Sequence, residues 1–334
     1  MVQHRIFEWE DIADTFCAGS LLLGNGASIS IDERFGYKSL IDHAIENGLF
    51  TQDITQLFNF FKTLDFELVL RLVWQASNIN RSLSIPDEKT HAAYVRVREC
   101  LIESVRNVHP EYQEISKHLP VIYNFLKNFR TVVSLNYDLI LYWSIMYGME
   151  VRDRHSLKDC FVNGQFYENW RRLRDPINGD ISTTLAFYPH GSLVLSRNNI
   201  ESEFKVMGNG NGLLEAILQT WKSETVVPLF VSEGTSLQKI NSIQGSSYLN
   251  TVYREVLTTL EPNLVIYGWG LWEQDLYILQ RIASSQIRNI AVSVYGNDQA
   301  YCNRVSHTIW QTLGAHIQIY FFHSNSPGAW NNVA

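Results

Sequence analysis

Short apolar runs that end in glycine or polar residues alternate along this chain with stretches whose apolar positions recur every three to four residues. Ser20-Leu21-Leu22-Leu23 passes into Gly24-Asn25-Gly26-Ala27-Ser28, the signature of a buried strand entering a glycine turn. From Tyr37 to Asn47, Leu40, Ile41, Ala44 and Ile45 keep the spacing of one helix face. Between Thr51 and Phe129 the helical period dominates: Leu57, Phe58 and Phe61 form one stripe, Leu68, Val69, Leu72, Val73 and Ala76 the next. Pro86-Asp87 reads as a helix start and Pro120 as a break.

The alternation resumes with Thr131-Val132-Val133-Ser134-Leu135, followed by Asn136-Tyr137-Asp138 and an apolar helix through Leu139, Tyr142, Trp143 and Met146. Residues 150–179 carry no clear period. Leu185 to Tyr188 leads into Pro189-His190-Gly191-Ser192, and β-rich runs return at Val226 to Val231, Leu264 to Tyr267, Ile290 to Val294 and His316 to Phe322. Helical stretches, Ser247 to Leu260 and Glu273 to Ala283, separate them. The pattern predicts an α/β fold: a doubly wound, Rossmann-like, mostly parallel sheet from residues 1–50 and 130–334, with an all-helical insertion over 51–129. Its ligand crevice is expected at the carboxyl ends of the strands.

Composition sharpens this picture. At 334 residues, 46% hydrophobic and with nine Trp, the chain can bury a large core. Its formal net charge is −7 and its basic residues are scattered, which disfavours direct nucleic-acid binding. Met1 to Asp14 lacks the apolar core of a signal peptide and no apolar run is long enough to span a bilayer, so a soluble, cytoplasmic protein is expected. Cys17, Cys100, Cys160 and Cys302 are dispersed, which predicts free, mostly buried thiols and no metal site.

Candidate chemistry gathers at the strand ends. Gly24 to Ser28 permit close backbone approach to a pyrophosphate, although a plain strand-to-helix turn needs the same residues and the full G-x-G-x-x-G spacing is absent. Asn136 and Asp138 can position a ribose hydroxyl, a water or a carboxamide; they are equally the residues that cap helices. His190 is a candidate general base or a satisfied structural histidine. Trp269 and Trp272 fit a pocket wall or the core, and Glu233 and Lys239, which also follow a strand end, carry no evident role.

Taken in order, Gly24 to Ser28, Ser134-Leu135-Asn136-Tyr137-Asp138 and His190-Gly191 resemble the Gly-Ala-Gly turn, the Thr-Gln-Asn-Ile-Asp motif and the His-Gly motif of sirtuins. Tyr267-Gly268-Trp269-Gly270-Leu271 and Gly296-Asn297 fall where sirtuins place cofactor-contacting loops. More narrowly, the Gly-Asn-Gly-Ala-Ser start, Phe35-x-Tyr37 and Val231-Ser232-Glu233-Gly234 resemble bacterial sirtuin-like proteins of antiphage defence. The chain lacks the four-cysteine zinc ribbon of the deacetylases, Asn25 replaces their Ala, Leu135 replaces their Gln, and the Phe35 region reads Glu33-Arg34-Phe35-Gly36, so deacetylation is not expected.

The resemblance implies an NAD hydrolase with NAD as substrate and no metal. It assigns the ribose hydroxyls or attacking water to Asn136, proton acceptance to His190 and the carboxamide to Asp138. Gly24, Asn25, Gly26, Ala27 and Ser28 would cradle the pyrophosphate, with Gly268 and Asn297 toward the adenosine half. It also implies gating, by homo-oligomerisation or by a partner protein, with NAD depletion as the outcome. The competing readings are an NAD or ADP-ribose sensor with a conformational output and a scaffold whose helical insertion makes the contacts.

Overall fold

The computed structural model describes residues 2–36, 39–176, 179–208, 212–231 and 233–333; Tyr37 and Ser232 of the sequence motifs lie outside them. Thirteen strands occur among these residues. In chain order they are β1 (Ile6–Phe7), β2 (Ser20–Leu23), β3 (Thr131–Ser134), β4 (His155–Lys158), β5 (Phe161–Val162), β6 (Gln165–Phe166) and β7 (Ser182–Phe187). They continue with β8 (Gly191–Asn198), β9 (Glu203–Lys205), β10 (Val226–Phe230), β11 (Asn263–Tyr267), β12 (Asn289–Val294) and β13 (Gln318–His323).

Eight strands form the central sheet in the order β1-β13-β12-β11-β2-β3-β7-β4, and every neighbouring pair is parallel. Its central strands are apolar on both faces because helices cover both, as the fully buried Ser20–Leu23 and Thr131–Ser134 illustrate. The strand order reverses at β2, which lies between β11 and β3. This is the Rossmann-like, doubly wound arrangement, and it opens a crevice at the carboxyl end of β2.

One strand sits elsewhere than the pattern suggests. The run at Val226 to Val231 reads as part of the parallel sheet, yet β10 pairs antiparallel with β8 in a separate three-stranded sheet, β10-β8-β9. Pro228 lies in β10, at its edge of that sheet, and the register shifts between Pro228 and Leu229. A residue without a backbone donor is tolerated at such edges and irregularities. The unassigned 150–179 region contains β4 and the β5-β6 hairpin.

Residues 51–129 are helical without a strand among the described residues: Gln52–Phe61, Phe66–Ser82, Glu88–Val108, Tyr112–Ile115 and Leu119–Leu126, with a 3-10 turn at Ser116–His118. Asp65 and Asp87 start the two long helices by accepting hydrogen bonds from Leu68 N and Thr90 N. The segment belongs to the crossover from β2 to its neighbour β3 and is tied to the second half of the chain. Trp74 Nε1 donates to Glu224 O at 2.9 Å, Gln238 Nε2 to Lys62 O at 2.9 Å and Ser242 Oγ to Asp65 Oδ2 at 3.2 Å. Its buried residues join those of the sheet in one continuous apolar core.

Cys100, Cys160 and Cys302 are buried, Cys17 is exposed, and none is paired. Among the described residues no helix is long and apolar enough to cross a membrane.

Candidate functional site

A cavity of about 1300 Å³ opens at the carboxyl ends of β2, β3 and β11. That exceeds the usual 300–1,000 Å³ of small-molecule pockets and suits a ligand of dinucleotide size. Gly24, Asn25 and Gly26 from the turn after β2, Asn136 and Asp138 after β3, His190 after β7, and Gly268 and Trp269 after β11 all border it. The helical segment supplies the facing wall through Phe58, Lys62, Val105, Val108 and His109.

The glycine turn is held by its neighbour. Gly24 N donates to Tyr267 O at 2.9 Å and Gly26 N to Gly268 O at 2.7 Å, so the loops after β2 and β11 run backbone against backbone. A Cβ on Gly24 would fall 2.5 Å from Trp269 Cα, and one on Gly26 would fall 2.9 Å from Gly268 Cα. Gly268 itself has φ +69°. These glycines are therefore required by loop packing, whatever the loops bind. Asn25 is exposed and donates to Phe35 O at 3.1 Å; Ala27 is buried and its carbonyl accepts from Trp330 Nε1 at 2.8 Å.

Ser28 joins the turn to the polar triplet after β3. Its hydroxyl donates to Asp138 Oδ2 at 2.5 Å and accepts from Asn136 Nδ2 at 2.8 Å, while Asn136 Nδ2 also reaches Gly24 O at 3.0 Å. Asp138 Oδ1 accepts from Ile140 N at 2.9 Å, at the first residue of the helix Ile140–Val151, whose N-cap position is Leu139. Burial raises the Asp138 carboxyl above the usual carboxylate range, against the pull of Ser28 and Ile140. Asn136 remains part-exposed, and its Oδ1 makes no hydrogen bond among the described residues.

His190 is buried, with Nδ1 3.2 Å from Leu135 O and Nε2 2.5 Å from the Tyr277 hydroxyl. A carbonyl can only accept, which puts the ring proton on Nδ1 and makes Nε2 the acceptor from Tyr277. Burial pushes the imidazole down to about 4; Lys239 adds to this, while Asp275 and the Leu135 carbonyl oppose it. Lys239 and Asp275 form an ion pair of 2.8 Å in the same wall.

Tyr277, Asp275, His109 and the Lys239 pairing add to the sequence reading. Tyr277 looks like one more apolar residue of the helix Leu276–Ile282, so its hydroxyl contact carried no local signal. His109 accepts from Leu139 N at 3.1 Å and bonds Pro110 O at 2.8 Å, a buried anchor for the β3 loop. Trp269 and Trp272 both line the cavity: Trp269 is buried, and Trp272 is 57% exposed with the Arg304 guanidinium 4.4 Å from its ring. Asn297 is not brought to the cavity: it is exposed in the turn after β12, with φ +60°.

Among the described residues, no group of three or more His, Cys, Asp or Glu side chains is placed to hold a metal ion. The assembled chemistry is the Asn136 amide oxygen, the carboxylates of Asp42, Asp138, Glu233 and Asp275, the imidazoles of His109 and His190, and two lysines, Lys62 and Lys239, the latter paired with Asp275.

Residues 21–330 match the model of the family described as a domain of unknown function (DUF4917), and the chain belongs to that family. No curated protein matches the chain.

Proposed function

We propose that this DUF4917 protein is an NAD hydrolase that cleaves the nicotinamide-ribose bond. The observation that carries the reading is the convergence of Asn136, Asp138 and His190 on one dinucleotide-sized cavity at the strand-order reversal. The motif order that resembles sirtuins supports the choice of NAD.

Cleavage builds positive charge on the ribose, so the site must hold both halves of NAD and admit one water. Asn136 has its amide nitrogen fixed by Gly24 and Ser28, which leaves Oδ1 to orient a ribose hydroxyl or that water. Asp138 faces the carboxamide, and the turn from Gly24 to Ser28, with Gly268 behind it, receives the pyrophosphate. Asn297 contributes only if its turn closes over the adenosine half. The helical segment forms the opposite wall, so its displacement, in a homo-oligomer or by a partner protein, is the natural gate for an activity that would deplete cellular NAD during phage infection.

A specific observation favours a second reading, an NAD or ADP-ribose sensor. Both His190 nitrogens are engaged, and a base in that state must release Tyr277 before it takes a proton. Nicotinamide release and NAD binding, measured on wild type, Asn136→Ala and His190→Ala, separate the two. Release lost in Asn136→Ala with binding kept supports the hydrolase; saturable binding with no release in wild type, with or without its genomic neighbours, supports the sensor.

A further inference from the structure

Glu233 stands in the loop after β10 and borders the same cavity as Asn136, Asp138 and His190. Two residues before it, Val231 donates its N–H to His190 O at 2.8 Å. Glu233 Oε1 accepts from Leu40 N at 2.8 Å, at the start of the helix Leu40–Glu46. Its Oε2 is buried and has no hydrogen-bond partner among the described residues.

That orphan oxygen separates Glu233 from Asp138, His190 and Lys239. Asp138 spends one oxygen on Ser28 and the other on Ile140; His190 spends one nitrogen on Leu135 and the other on Tyr277. Lys239 is paired with Asp275. An unsatisfied buried carboxylate oxygen beside a cavity calls for a partner from outside the chain. The charged groups that act on Glu233 are Asp42 on the helix Leu40–Glu46, Asp65 at the start of Phe66–Ser82 and Lys239 on Ser236–Gln244.

We propose that Glu233 is the catalytic base of this cavity, taking the proton from the water that attacks the ribose. The role rests on the NAD-hydrolase reading. The bond between ribose C1′ and the nicotinamide nitrogen breaks with its electron pair going to the nicotinamide, which leaves neutral. The water oxygen forms the new bond to C1′, its proton passes to the Glu233 carboxylate, and that proton is then lost to solvent. Nothing is oxidised or reduced. Burial, with Asp42 and Asp65 nearby, raises the Glu233 carboxyl to about 7, against the Leu40 N–H and Lys239, which matches a base working near neutrality.

The test compares wild type with Glu233→Gln and Glu233→Asp in nicotinamide release, with NAD affinity by calorimetry and melting temperature followed in parallel. Glu233→Gln is expected to lower kcat by about 100-fold or more with NAD affinity changed less than about threefold. The kcat of wild type should fall as pH drops below about 7, and Glu233→Asp should move that limb. Should Glu233→Gln fail to fold, Glu233→Asp decides alone: a shifted limb with reduced kcat supports the assignment, wild-type kcat and an unmoved limb overturn it. Release kept within about threefold in a folded Glu233→Gln overturns the role of Glu233 and leaves the hydrolase reading standing. Bound NAD with no release from wild type overturns both.

Discussion

Gly268→Ala tests whether the glycines at the cavity floor serve loop packing. Two costs add at this position. The φ of +69° is strained for any residue with a Cβ, by roughly 1–2 kcal/mol. The new methyl would also overlap Ala27 N and come 2.6 Å from Gly26 C, forcing the loops after β2 and β11 apart, an overpacking that costs typically 1–3 kcal/mol. The expected loss is therefore about 2–5 kcal/mol. Gly296 is the internal control: its φ is +63°, yet a Cβ there meets nothing within 4 Å, so Gly296→Ala should pay the strain alone. Urea denaturation of the two variants beside wild type, read as the shift in midpoint at constant slope, gives the comparison. Equal losses in both variants, or a Gly268→Ala loss below about 1 kcal/mol, would refute the packing argument.

Two further outcomes follow from the buried histidines. Burial holds His109 down to about 4, with Arg34 adding to the depression and the Pro110 carbonyl and Asp32 opposing it. Below its ordinary 6.5 the unfolded chain takes up a proton that the folded one refuses, so stability is lost as pH falls from 6.5 toward 4. The stability difference between wild type and His109→Gln should shrink over that window by up to about 3 kcal/mol, measured by denaturant unfolding; a pH-independent difference contradicts it. Tyr277→Phe removes the donor to His190 Nε2 and should cost about 1–2 kcal/mol. In nitrogen-15 spectra His190 of the wild type should stay neutral with its proton on Nδ1 down to about 4, and titration near 6.5 would disprove the assigned contacts.

The parallel strands were legible because burial on both faces writes them as continuous apolar runs; Leu21 to Leu23 and Val132 to Val133 need no partner information to be recognised. β8 was hidden because Ser192, Ser196 and Arg197 interrupt its apolar positions, although all are buried. Arg197 is tolerated there through Glu203 at 2.9 Å and Glu201 at 3.1 Å, contacts the local pattern does not announce. Sheet membership of β10 depended on pairing with a distant strand, which periodicity does not encode.

The site followed the same division. Asn136, Asp138 and His190 stood out because polar residues at the ends of apolar strands are where α/β crevices form. Asp138 also serves the helix start, accepting from Ile140 N while bordering the cavity, although the N-cap position of Ile140–Val151 is Leu139 and carries no side-chain cap. Gly24 and Gly26 read as phosphate-binding residues and Gly268 as a residue of the adenosine half, but their need for small size comes from a contact between loops more than 240 residues apart in sequence. Asn297 was chosen by its place after a strand, and the turn it occupies is not among the lining residues.

The most direct test of the central claim is nicotinamide release from NAD by the purified protein, followed chromatographically with Asn136→Ala as the paired control. The account predicts release by wild type, alone or with its genomic neighbours, and a loss of at least about 100-fold in the variant with NAD still bound. Saturable NAD binding with no nicotinamide released, or release unaltered by Asn136→Ala, would contradict it.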